Sequence, residues 1–168
     1  KRVKPYLEDL GIRLEIVKTS IAEEVISKEK SSRCYICSRR RRMHLLRKVK
    51  EMGARKIALA HHRDDLVETF LMNILFQREV STMMPRQELF SGKYTIIRPL
   101  IYVEKNDIKT YCRLIAAPVC ASQCPFGELS LRVKVRKWLD EISREDPLVR
   151  YNIFRALRNV KQEYLPWT

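Results

Sequence analysis

"KIALAHHRDDLVETFLMNILFQ", Lys56 to Gln77, reads as a short strand running straight into an apolar helix, with two histidines and two aspartates at the seam. The KIALA run is too brief for a helix, whereas residues 64–77 carry no Gly or Pro, and Leu66, Phe70, Asn73 and Ile74 step around one side. A strand feeding a helix is half of a crossover unit, and the carboxyl end of such a strand is where an open parallel sheet takes its ligands. His61, His62, Asp64 and Asp65 stand at that end. Helix capping accounts for part of the pattern, because Asp65 with Glu68 makes an acidic variant of a capping box. It leaves two adjacent acids and two histidines unexplained, and a magnesium-nucleotide site would use such acids.

Working outward, "IRLEIV" (12–17) alternates like a strand, and "SRRRRMHLLRKVKEMG" places Met43, Leu46 and Val49 at helical spacing before Gly53. Past the central stretch come a strand, "YTIIRPL", and a helix, "EKNDIKTYCRLIAA", that ends before Pro118. Strands alternating with helices predict an α/β fold: an open parallel sheet with helices on both faces. Two basic amphipathic stretches, "ELSLRVKVRKWLDEI" and "LVRYNIFRALRNVKQEYL", add C-terminal helices. Residues 78–93, polar with Pro85 and Gly92, are long for a crossover and read either as a surface insertion or as a flap that grips substrate.

The 168 residues, 45% of them hydrophobic, suffice for one domain with a real core. Lys plus Arg exceeds Asp plus Glu by 34 − 20 = 14, so the surface attracts polyanions, nucleic acid first among them. No apolar run is long enough to span a bilayer and no secretory leader opens the chain, which suggests the cytoplasm and no membrane partner. Five cysteines, an odd number, argue for metal binding or thiol chemistry over a disulfide framework. The four glycines are too scattered to form a phosphate-cradling loop.

In "CYICSRRRR", Cys34 and Cys37 precede Arg39–Arg42, which read as the first turn of a helix, where positive charge is unfavourable. Thiolates or a bound phosphate would supply the missing negative charge. "CASQC", Cys120 to Cys124, offers more sulfur ligands. Four cysteines would make a zinc site, and three would hold an iron-sulfur cluster with one open iron. Cys112, within a helix, reads as an inert core thiol.

"CYICSRRRR", "ALAHHRDDLVETFLMN", "IIRPL" and "CPFGELSLR", in this order, resemble the tRNA 2-thiocytidine synthetases of the PP-loop ATP pyrophosphatase superfamily, and the likeness runs on through "IFRALRNVKQEYL". The resemblance implies a PP-loop, adenine nucleotide alpha hydrolase-like fold. Residues 1–145 would form a partial ATPase domain and 146–168 a helical extension. It implies an enzyme that adenylates the C2 carbonyl oxygen of a cytidine in a tRNA anticodon loop, using ATP and Mg2+, and then replaces that oxygen by sulfur. Cys34 and Cys37 match the family's C-x-x-C ligands of a 4Fe-4S cluster. Cys124 is preferred over Cys120 as third ligand for its spacing to "LSLR". Asp64 and Asp65, with His61 and His62, fall on the segment lining the nucleotide site, and Arg41 is the choice for an anion contact. The family's S-G-G-K-D-S loop is missing and is expected upstream of Lys1. The implied partners are tRNA, a sulfur donor protein or sulfide, and a second copy of the chain. Two alternatives stand beside this: a non-catalytic RNA-binding domain stapled by zinc on Cys34, Cys37, Cys120 and Cys124, or a PP-loop thiolase acting on a tRNA uridine.

Overall fold

The computed structural model describes residues 3–26, 33–120, 124 and 126–166. Of "CASQC", residues 121–123 lie outside that range, as does Pro125. The elements are α1 (Val3–Asp9), α2 (Ile21–Ile26), α3 (Arg33–Glu51), β1 (Lys56–Ala58), α4 (Arg63–Gln77), β2 (Arg86–Leu89), β3 (Tyr94–Ile97), α5 (Lys105–Leu114), α6 (Leu131–Glu145) and α7 (Val149–Ala156). Short 3-10 turns occupy Gly127–Leu129 and Gln162–Tyr164.

The α/β expectation holds. Among the described residues the sheet has the order β1-β3-β2, and β1 runs parallel to β3 with Lys56 opposite Thr95, Ile57 opposite Ile96 and Ala58 opposite Ile97. A parallel pair needs a long crossover, and α4 lies within it. β2 was not anticipated. Residues 90–93 return it to β3 through left-handed backbone at Phe90, Ser91 and Gly92 (φ 53, 52 and 84), too short a link for a parallel return, so this edge is antiparallel.

The chain divides into two compact units. The first comprises Lys1–Ala58, Gln87–Ile97 and Cys112–Ala121. It holds the sheet and α3, against which α2 packs through the buried Ile21 and Val25. The second comprises Leu59–Arg86, Arg98–Tyr111 and Ser122–Thr168. Its core joins Leu66 and Val67 of α4 to Ile101 and to Val135 and Leu139 of α6, with Val149, Ile153 and Phe154 of α7 packed against them.

Several expectations are corrected. Ile12–Val17 form no strand, and Ile16 stays 71% exposed, because alternation makes a strand only where a neighbour supplies the ladder. The arginine run is not in a first turn: α3 already extends from Arg33, so Arg39–Arg42 lie in its interior, beyond the turn where the dipole opposes cations. α4 buries Leu66, Val67 and Glu68, while Ile74 is 40% exposed; a helix apolar on nearly every side does not announce its buried face. The stretch after Gln77 is hydrogen-bonded to α4. Asn73 Nδ2 donates to Ser81 O and Oγ (both 3.0 Å), Thr82 Oγ1 donates to Leu66 O (2.7 Å), and the segment ends in β2. α7 stops at Ala156, so the predicted helix over 148–165 is half realised. Cys112 is half-buried on a helix with no buried residue, hence not a core thiol.

Candidate functional site at the start of α4

Four residues after β1 ends, His62 caps α4 with extended backbone (φ −118, ψ 178). The Asp65 N–H donates to His62 Nδ1 (3.4 Å) and the His62 N–H donates to Asp65 Oδ2 (3.0 Å). The capping box therefore pairs His62 with Asp65, not Asp65 with Glu68, and imidazole takes the place of the usual hydroxyl. Because Nδ1 accepts, the ring proton belongs on Nε2, 3.4 Å from Asp65 Oδ2.

Both aspartates divide their oxygens in the same way. Asp64 Oδ2 accepts from the N–H of Lys105 (2.9 Å), the first residue of α5, while Oδ1 lies 3.6 Å from Arg150 Nη1. Asp65 commits Oδ2 to the cap and holds Oδ1 3.5 Å from Arg132 Nη1. Each carboxylate thus has one oxygen fixed by backbone and one loosely facing a guanidinium. An anion could draw off the arginines, leaving oxygens free for a hard cation.

Glu68, 1% exposed, is the anchor. Its Oε1 and Oε2 accept from Arg136 Nε (2.6 Å) and Nη2 (3.0 Å), and Oε2 also accepts from Arg132 Nη1 (3.3 Å). The hydrogen bond to Glu68 holds the Arg136 guanidinium above its usual pKa. Arg132 also donates through Nη2 to Thr69 Oγ1 (3.0 Å), which fixes where its remaining N–H groups point. On the other flank, Arg98 Nε–H donates to His61 Nδ1 (3.3 Å). Burial, then the charges of Arg98 and Arg132, push the His61 pKa down against the opposing pull of Asp65, so His61 is a neutral acceptor.

Beside this cluster a cleft of about 600 Å3 opens among Arg63, Asp64, Lys105, Arg136, Arg150 and Tyr151. Its charges are largely self-paired: Arg63 with Glu104, and Arg150 with Asp140 at 2.6 Å.

The second unit thus gathers His61, His62, Asp64 and Asp65. Sequence reasoning missed Arg98, Arg132, Arg136 and Arg150 there and took Glu68 only for a cap. The signal was present in the i, i+4 pair Arg132 and Arg136, which puts two guanidiniums on one face of α6. Cys34, Cys37 and Arg41 belong to the first unit, all on α3 at i, i+3 and i+7, hence along one face. Both thiols are free, Cys34 exposed and Cys37 half-buried, and Arg41 is exposed. Soft thiolate donors one turn apart suit iron-sulfur or zinc chemistry. Cys120 is an exposed cysteine of the first unit and Cys124 one of the second, neither in a disulfide. Among the described residues no three His, Cys, Asp or Glu side chains form a group that could hold a metal ion.

Residues 1–118 match the PP-loop domain family. The chain is 41% identical to the tRNA-cytidine(32) 2-sulfurtransferase of Cupriavidus metallidurans over 95% of its own length and 52% of that protein's. To the enzyme of the same name from Pseudomonas syringae pv. syringae it is 38% identical, over 95% of this chain and 60% of that one. It spans roughly half to three-fifths of the length of these curated relatives. Its structure resembles that of the U34-tRNA thiolase NcsA from Methanococcus maripaludis, solved with its [4Fe-4S] cluster, with a TM-score of 0.71, 22% identity, and coverage of 96% of this chain and 55% of that one.

Proposed function

The chain belongs to the PP-loop domain family, and from that premise we propose that it is an ATP-dependent tRNA sulfurtransferase acting on the C2 carbonyl of a cytidine in the anticodon loop. The observation that carries this reading is the 38–41% identity, across 95% of the chain, to tRNA-cytidine(32) 2-sulfurtransferases. The paired acids at the start of α4 support it.

A carbonyl oxygen is a poor leaving group until adenylated, after which it departs with AMP as sulfur takes its place. Asp64 and Asp65 supply the carboxylates for the magnesium that accompanies ATP, and two suffice for a cation that keeps waters and phosphate oxygens as its other ligands. Arg132 and Arg150, loosely held across from them at 3.5 and 3.6 Å, are placed to exchange a carboxylate for a phosphate oxygen. His61 and His62, held by Arg98 and by the cap, fix the chain that presents both acids. Cys34, Cys37 and Cys124 are the residues to ligate a 4Fe-4S cluster, with Arg41 on the thiol face of α3 as an anion contact. When bound, such a cluster supplies an iron site from which sulfur can be delivered.

The test is metal content after anaerobic purification of the full-length protein. Iron and labile sulfide are expected, lost in Cys34→Ala, Cys37→Ala and Cys124→Ala together with 2-thiocytidine formation, and kept in Cys112→Ala. A colourless protein with one stoichiometric zinc would overturn the sulfurtransferase in favour of a zinc-stapled RNA-binding domain. Iron kept in Cys124→Ala and lost in Cys120→Ala would move the third ligand.

A further inference from the structure

Within the first unit a second, smaller groove of about 290 Å3 is lined by Lys50, Gly53, Ala54, Arg55, Lys93 and Tyr94. It forms where α3 ends and β1 and β3 begin: the Thr95 N–H donates to Arg55 O (2.8 Å), which sets Arg55 beside Tyr94 across the parallel pair. The groove thus sits at the amino ends of these two strands. Its charge differs in kind from that of the larger cleft. There acids and arginines neutralise one another; here three cations line a small concavity with no acid among the lining residues. No ion pair among the described residues involves Lys50, Arg55 or Lys93.

Three like charges gathered in one groove repel one another, and the cost is removed when a polyanion enters. We infer that this groove binds the phosphate backbone of the tRNA; the inference rests on the tRNA reading above. The concavity is the size of a phosphate and its sugar, whereas a protein partner needs about 800 Å2 of surface per side. Tyr94 adds a phenol for the ribose hydroxyl. The groove meets the backbone only, so it positions the substrate without reading its sequence.

The test replaces Lys50, Arg55 and Lys93 by Gln together in the full-length protein and measures affinity for an unmodified tRNA transcript against salt. The expected result is a loss of about tenfold at physiological salt, equal across tRNA sequences, with the log–log salt slope reduced by about one for each phosphate no longer neutralised. Melting temperature should not fall and ATP affinity should not move. If the triple variant melts early, the three single variants are read instead, each expected to lower the slope by about one. Wild-type binding with an unchanged slope in the variants would overturn the groove's role and leave the sulfurtransferase standing. No tRNA binding by the wild type would overturn both. Unchanged tRNA affinity with impaired sulfur transfer from a protein donor would assign the groove to an acidic protein instead.

Discussion

His61 shows how one side chain reports its surroundings. Burial first, and then the positive charge of Arg98, from which it accepts, and of Arg132, hold its folded pKa below the ordinary 6.5. A depressed histidine binds its proton more readily in the unfolded chain, so stability is complete above about 6.5 and declines as pH falls toward the folded value. His61→Asn keeps an acceptor for the Arg98 Nε–H and removes the titration. The wild-type melting temperature should therefore fall more steeply than the variant's between about pH 7 and pH 5. Parallel profiles for the two proteins would show that the Arg98 contact does not control the proton. The tautomer of His62 has a different cause, the backbone N–H of Asp65, and no charge is needed to set it.

At the scale of elements, Glu68 is what fastens α6 to α4 by polar means. It is the one fully buried carboxylate among the described residues, and Arg132 and Arg136 reach it from successive turns of α6. In Glu68→Gln the bidentate ion pair with Arg136 is broken and a neutral amide faces two guanidiniums, each about a third exposed and so partly rescued by water. A loss of about 2 kcal/mol is expected in denaturant melts. The same variant frees Arg132 to swing toward Asp65, so any weakening of ATP binding should exceed what the drop in stability explains. A loss below about 0.5 kcal/mol would mean that the apolar packing of Leu139 and Val135 against Leu66 and Val67 holds the two helices unaided.

For the whole molecule the governing quantity is a net charge of +14. Self-repulsion at that level disfavours the compact state, and it is screened as the Debye length shrinks from about 30 Å at 0.01 M salt to about 8 Å at 0.15 M. The melting temperature should rise over that range. A fall would show that the ion pairs around Glu68 outweigh the surface. Much of this protein was legible in the chain before any coordinates. The short KIALA strand, the helix behind it and the YTIIRPL strand follow from local periodicity, and the histidines and aspartates had to stand at a strand's carboxyl end because chain order puts them there. Charge and the C-x-x-C spacing are likewise properties of composition and covalent distance. What tertiary structure decided is everything that depends on who meets whom. Ile12–Val17 alternate but found no partner, and residues 86–89 carry no apolar alternation yet pair with β3. Glu68, which looked like a cap, went into the core because Arg132 and Arg136, more than sixty residues away, were there to receive it. Local pattern fixes what a segment is able to do, and the partner it meets, brought from far along the chain, fixes what it does.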